Sequence, residues 1–269
     1  MVDLSYLRKK QEEINNPSSA KNTEFLDSFL QLDVGDNDVR ILPAEDEEES
    51  FFVETKIHRV PNGQYTKNIH CLKVFGKACP ICDLYFDLWK EHNAIVGKNK
   101  KQDTKFSLAA RPLRAGERYY MNVLSRASSE VKILSVGKKL MDKIIGDILT
   151  IDADESVFML DTQKGYDYKI KKSMLGEYPD YSQSSAARKA SAVANSPTAI
   201  KAALSARHDL KALLREETYE TVKTIADEIR TTIYGSSLPV ENGSTPMNSE
   251  LLKAQNEYLR QLEEGDDDA

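Results

Sequence analysis

No stretch of this chain stays apolar for anything near the roughly 20 residues of a membrane-spanning helix, and its opening Met1-Val2-Asp3-Leu4-Ser5-Tyr6 has no signal-peptide pattern. A soluble intracellular protein without membrane contact is the expectation. Cysteine is scarce, at three residues. An odd number, with two of them three positions apart, suits metal ligation in a reducing compartment better than a disulfide framework. The sequence has no nucleotide-binding glycine loop, no paired acidic motif at metal spacing and no nucleophile with its base, so catalysis is not expected. Positive charge is also in deficit: 37 Lys and Arg against 43 Asp and Glu leave a net charge of -6. That sum hides a strong asymmetry along the chain.

With 269 residues, 40% hydrophobic and 30% charged, the chain can bury one sizeable core with solvated appendages. Residues 1–21 are polar, with a basic cluster Arg8-Lys9-Lys10, and read as an arm leaving the body. Short strand-like segments follow at 38–43, 51–60, 106–113, 119–126, 131–136, 157–161 and 166–171. So many short strands predict a small barrel or sandwich. Leu84, Leu88 and Trp89 fit a helical face over 79–93, as do Leu140, Ile144, Ile145 and Ile148 over 138–149. After Tyr181 the composition turns to Ser and Ala, and apolar periodicity from Ala199 to Tyr234 predicts two helices packing on the core. Beyond a loop at 235–246 comes an amphipathic stretch over 249–262. From Glu241 onward eight acidic side chains face two basic ones, so residues 236–269 read as a flexible acidic tail.

The most specific signal is Cys79-Pro80-Ile81-Cys82, with Cys71 eight positions upstream and histidines at His58 and His70. A C-x-x-C turn lets two thiolates grip one zinc ion, which needs four N or S donors in a tetrahedron. Cys71 is the third donor and His58 or His70 the fourth. His70 adjoins Cys71, so in an extended segment it points to the opposite face, which favours His58. Four protein donors leave no open position, so a structural zinc is expected. A deaminase-type zinc is excluded: Ala78 precedes Cys79, and neither His58-Arg59-Val60 nor His70-Cys71-Leu72 supplies the glutamate of H-x-E.

Between Lys98 and Lys143 twelve Lys or Arg face four Asp or Glu, the electrostatic footprint of a phosphate-backbone ligand. Aromatic residues are interleaved. Single-strand binders use this pairing because cations follow the phosphates while flat rings stack on any base. The candidate DNA contacts are Lys105, Phe106, Arg111, Arg114, Arg118, Tyr119, Tyr120, Arg126, Lys138, Lys139, Lys169, Lys171, Tyr178 and Tyr181. About half of the rings should instead be core, since neighbours such as Tyr119 and Tyr120 point to opposite faces of a strand. The competing reading is a zinc-ribbon interaction module in which the basic surface is incidental.

Several segments run in a familiar order: His58, Cys71 and Cys79-Pro80-Ile81-Cys82; Phe106-Ser107-Leu108; Tyr119-Tyr120-Met121-Asn122-Val123-Leu124; Gly137-Lys138-Lys139-Leu140-Met141-Asp142-Lys143-Ile144; and the pair Tyr178 and Tyr181. Over roughly residues 35–182 they resemble the gene 32 product family, the single-stranded DNA-binding, helix-destabilising proteins of T-even bacteriophages. The resemblance independently selects His58 as the fourth ligand. It implies a mainly β protein with some α: an OB-fold barrel core over 22–182, a zinc-binding subdomain at about 52–97, and helical C-terminal segments over 183–235. It further implies cooperative coating of single-stranded DNA in viral replication, recombination and repair, in the cytoplasm of a bacterial host. Arg8, Lys9 and Lys10 would serve self-association along the strand, and the acidic tail would recruit replication and recombination proteins. The chain departs from the family where Tyr120 stands for a tryptophan, where two tyrosines near the zinc site have no counterpart, and over 199–234.

Overall fold

The computed structural model describes residues 25–46, 48–62, 65–97, 102–153, 158–176 and 178–235. The basic arm, Lys98, Lys100, Lys101 and the acidic tail lie outside them.

Strands β1 (Gly35–Ile41), β2 (Phe52–Asn62) and β3 (Tyr65–His70) come first, then helices α1 (Pro80–Val96) and α2 (Lys105–Ala110). Next are β4 (Gly116–Ser125), β5 (Val131–Val136), α3 (Lys138–Ile151), β6 (Tyr166–Leu175), β7 (Tyr178–Asp180) and β8 (Ser185–Ala190), followed by α4 (Pro197–Ser205) and α5 (Tyr219–Gly235). The strands form one antiparallel sheet ordered β3-β2-β4-β1-β6-β7, with β5 on β4 and β8 on β6. The protein is therefore mainly β with α, as expected.

β4 is the hub of the sheet. β2 and β1 follow one another along one of its edges, at Phe52↔Met121 and Ile41↔Val123, while β5 holds the other edge at Met121↔Leu134. One strand with two successive neighbours makes the sheet curl into a half-barrel. Alternation along β4 sends Met121 and Val123 inward against Val39, Ile41, Leu134, Val136, Tyr168 and Ile170. α3 closes this core with Leu140, Met141 and Ile144, each contributing roughly 1.5–3 kcal/mol by leaving water. Tyr168 is fully buried, and its hydroxyl donates to Asp147 of α3 at 2.9 Å, which relieves the cost of burying a polar group.

A second core gathers Val60, Ile69, Leu72, Ile81, Leu84, Leu88 and Leu113 around the cysteines, and it is completed by Val222 and Ala226 of α5. A strap runs between the two cores. Residues 191–208 cross the outer face of β1 and β4, where Leu42, Leu124, Val193 and Ile200 form a third cluster. The side chain of Asn122 binds the backbone of His208 in both directions, at 3.0 and 2.9 Å. Lys77–Glu216 and Lys67–Glu217 ion pairs then bring the chain to the cysteine-bearing subdomain.

Two expected strands are absent among the described residues. The run from Phe106 to Leu113 is α2 followed by a 3-10 turn over Arg111–Leu113. The cause is local: the Thr104 side chain accepts from the Ser107 N–H at 3.3 Å and Ser107 Oγ accepts from the Thr104 N–H at 3.0 Å, a capping box that starts a helix. A short apolar run cannot reveal its period, and Ala109 and Ala110 favour the helix. Residues 158–161 are turn rather than strand, because Asp152 and Asp161 draw backbone N–H groups into their carboxylates. Gly165 closes this turn, with Met159 and Asp161 carbonyl oxygens against its Cα where a side chain would stand. Conversely, β8 lies in the Ser/Ala-rich stretch read as helical.

Candidate metal centre and nucleic-acid interface

β2 and β3 pair so that His58 faces Ile69 and Ile57 faces His70. Strand alternation then puts His58 and Cys71 on one face and His70 on the other, where its Nδ1 shares a hydrogen with Thr55 Oγ1 at 2.8 Å. The Cys71 N–H donates to the Lys56 carbonyl at 2.8 Å, extending the register by one residue. Cys79 caps α1, Pro80 occupies its first turn without sacrificing a needed donor, and Cys82 follows in the same turn.

His58, Cys71, Cys79 and Cys82 are all buried, and their ligand atoms lie within 4.8 Å of one another. His58 Nε2 is 3.4 Å from Cys79 Sγ and 3.6 Å from Cys82 Sγ, while Cys71 and Cys82 sulfurs are 3.5 Å apart. A zinc ion with bonds of about 2.0 Å to nitrogen and 2.3 Å to sulfur needs tetrahedral edges of about 3.5–3.8 Å. The four residues therefore fit one zinc ion. His58 Nδ1 donates to the Leu113 carbonyl at 2.7 Å, which fixes the tautomer and leaves the Nε2 lone pair facing the thiols. The four groups also compete for protons. Burial would lower the His58 pKa, but its hydrogen bonds with the Cys71 and Cys79 sulfurs and to the Leu113 carbonyl, which favour the protonated ring, outweigh it and raise it to about 9. Cys79 is pushed down by its hydrogen bonds to Cys71 and Cys82, and Cys82 is pushed up by the same neighbours.

The basic and aromatic candidates divide sharply. Arg126 is committed to the protein: Nε and Nη2 grip both oxygens of Asp167 at 3.1 and 2.6 Å, and further donors reach the carbonyls of Val193 and Ala192. With four bonds of this kind it clamps the strap to β6 and has little left for phosphate. Phe106 is buried in the second core, its ring 5.6 Å from that of Tyr234. Its place is in packing, because α2 turns it inward. Arg111 pairs with Asp103 at 2.5 Å, Lys138 approaches Glu117 at 3.8 Å, and Lys169 pairs with Asp36 at 3.0 Å and Asp38 at 4.0 Å. Lys105 lies over the Phe106 ring at 5.0 Å and is exposed, as are Arg114 and Lys139, while Lys171 is half-buried.

Tyr119 and Tyr120 point to opposite faces of β4, as alternation requires. Tyr119 turns toward the barrel core, 5.7 Å from the Phe52 ring. Tyr120 shares the outer face with Arg118 and meets Phe29 edge-on at 6.2 Å. Burial raises the pKa values of both Tyr120 and Tyr181, and in each case Arg118 pulls back, which sets this guanidinium near both rings. Tyr181 packs on the barrel core, and the hydroxyl of Tyr178 is buried without a partner among the described residues.

Sequence reading missed Phe25, Phe29 and Arg215. Arg215 sits over the Phe25 ring at 5.4 Å, and Phe25 meets Phe29 edge-on at 5.3 Å. The four-residue spacing of the two phenylalanines was the available signal; nothing in the sequence marks the partnership with Arg215.

Among the described residues no helix is long and apolar enough to cross a membrane. A family model described as gp32 DNA binding protein like matches residues 33–233, a span that takes in the half-barrel, the four metal-ligand candidates and most of α5. No curated protein matches the chain.

Proposed function

Because the chain belongs to the gp32 DNA binding protein like family, we propose that it coats single-stranded DNA, without regard to sequence, during viral DNA replication, recombination and repair. The observation that carries this reading is the extent of the family match, which runs through both the sheet and the metal cluster. Geometry supports it. The outer face of an OB-type sheet is the face such folds offer to oligonucleotides, and here the part of it beyond the strap bears Arg118 next to the buried Tyr120. Exposed Lys105, Arg114 and Lys139 supply further positive charge.

Flat rings can stack on bases only when the bases are unpaired, so binding draws transiently opened DNA away from the duplex. The reading needs no catalytic group. One zinc held by His58, Cys71, Cys79 and Cys82 would be structural, since four protein donors leave no place for a reacting water. Arg8, Lys9 and Lys10 would bind the neighbouring protomer and make coating cooperative. The acidic tail would compete with DNA for the basic surface and, once displaced, recruit replication and recombination proteins. The site of action is the cytoplasm of the host cell.

A second reading, a zinc-bearing protein-interaction module, is favoured by Phe86 and Ile95, which stand 58% and 61% exposed on α1. A salt titration of binding to fluorescent oligo(dT) and to duplex DNA, with zinc content measured on the same preparation, separates the two. The coating function requires tight, salt-sensitive preference for the single strand with one zinc per chain. Weak, non-cooperative binding without that preference would favour the interaction module.

A further inference from the structure

The segment that joins the arm to the barrel is not a passive linker. Its backbone docks on the free edge of β5: the Leu30 N–H donates to the Ile133 carbonyl at 2.9 Å and the Ile133 N–H to the Ser28 carbonyl at 2.8 Å. Lys132 adds a bond from Nζ to the Asp27 carbonyl at 2.8 Å. These bonds hold Phe29 against Tyr120 and leave Phe25 41% exposed beside Leu26 at 61%. A ring held at the surface beside an exposed guanidinium presents an aromatic surface and a positive charge together, the two features that meet a base and its phosphate.

We propose that Phe25 and Phe29, backed by the buried ring of Tyr120 and flanked by Arg215 and Arg118, form a stacking track for the bases of single-stranded DNA. The track extends the outer face of β4 onto the residues that follow the arm. It rests on the single-strand-binding reading above and adds Phe25, Phe29 and Arg215 to the contacts assigned there. The rings meet edge-on in succession, at 69° and 74° between planes, so they do not stack on one another and bases can enter beside them. Arg215 reaches the track from the segment that follows the strap. One nucleotide path would thus touch the arm junction, the sheet and that segment together.

The test uses the full chain and two ligands of equal length, oligo(dT) and an abasic deoxyribose-phosphate oligomer. F25A should weaken oligo(dT) binding by roughly 5- to 150-fold and leave the abasic oligomer unaffected, because a stacked base is lost and no charge. R215A should weaken both ligands and reduce the salt slope by about 0.7. F25W should keep its affinity, and its emission should be quenched by oligo(dT). Both exposed positions should leave the melting temperature unchanged. An F25A protein that binds oligo(dT) as tightly as wild type overturns the track and leaves the coating function standing. If F25A keeps its affinity for a short oligomer and loses only cooperative coating of long poly(dT), Phe25 serves a neighbouring protomer and the track is again overturned. A wild-type protein with no preference for single strands removes the coating function, and the track falls with it.

Discussion

Arg126 holds Asp167 with both arms of its guanidinium, and the same carboxylate lies 3.5 Å from Nη1 of Arg40, a side chain with no solvent exposure at all. Asp167 is thus the counter-charge of a fully buried arginine, whose pKa is lowered by burial and held up by that carboxylate. Arg126 orients it.

R126A should therefore cost about 2–3 kcal/mol of folding stability, less than a wholly buried pair because both partners are about a quarter exposed. Its affinity for oligo(dT) should stay near wild type in the folded protein. R114A, at an exposed position, should do the reverse, sparing stability and lowering the salt slope by about 0.7. Urea melts beside oligo(dT) titrations check the pair; equal loss of DNA binding in the two variants would return Arg126 to the DNA surface.

F106A should destabilise by about 3–4 kcal/mol, since it empties a packed position beside Tyr234. F106L, which keeps most of the volume, should recover most of this stability and bind oligo(dT) normally. A selective binding defect in F106L at full stability would contradict the packing role.

Chelation should remove one zinc per chain and loosen α5, because Val222 and Ala226 share a core with three of the ligands, Cys71, Cys79 and Cys82. Limited proteolysis should then cut within 214–235, and C82S should behave like the chelated protein. Zinc must displace protons from Cys82, held protonated by its neighbours, and from His58, whose pKa stands at about 9. Zinc affinity should accordingly rise with pH and fall as pH drops, with proton release visible by calorimetry in buffers of different ionisation enthalpy. Metal binding with no pH dependence would exclude this ligand set.

Removing the residues after Glu241 should tighten binding to oligo(dT) at low salt, with the gain shrinking as salt rises toward physiological strength and beyond. Equal affinities of the truncated and full chains at low salt would reject competition between tail and DNA.

The metal cluster was legible because its signal is covalent spacing: a C-x-x-C turn and strand alternation fix His58 over His70 before any tertiary contact is known. The barrel was legible from short runs rich in aromatic and β-branched residues, such as β4 and β5. The 106–113 segment was not, since its helix depends on two reciprocal hydrogen bonds at Thr104 and Ser107. The basic residues could be counted but not sorted. Arg114 and Arg126 look alike in sequence, and only the position of Asp167, 41 residues after Arg126, separates an open cation from a clamp.

The second core takes its ligands from His58 to Cys82 and its closing residues from α5, more than 130 positions later. During synthesis the cysteines leave the ribosome long before Val222 and Ala226 exist to cover them. A nascent chain can capture its ion early, yet it waits for nearly the whole described sequence before that hydrophobic core is sealed. Premature stops before α5 should therefore yield chains that bind metal and aggregate, whereas stops after Gly235 should leave a sealed core.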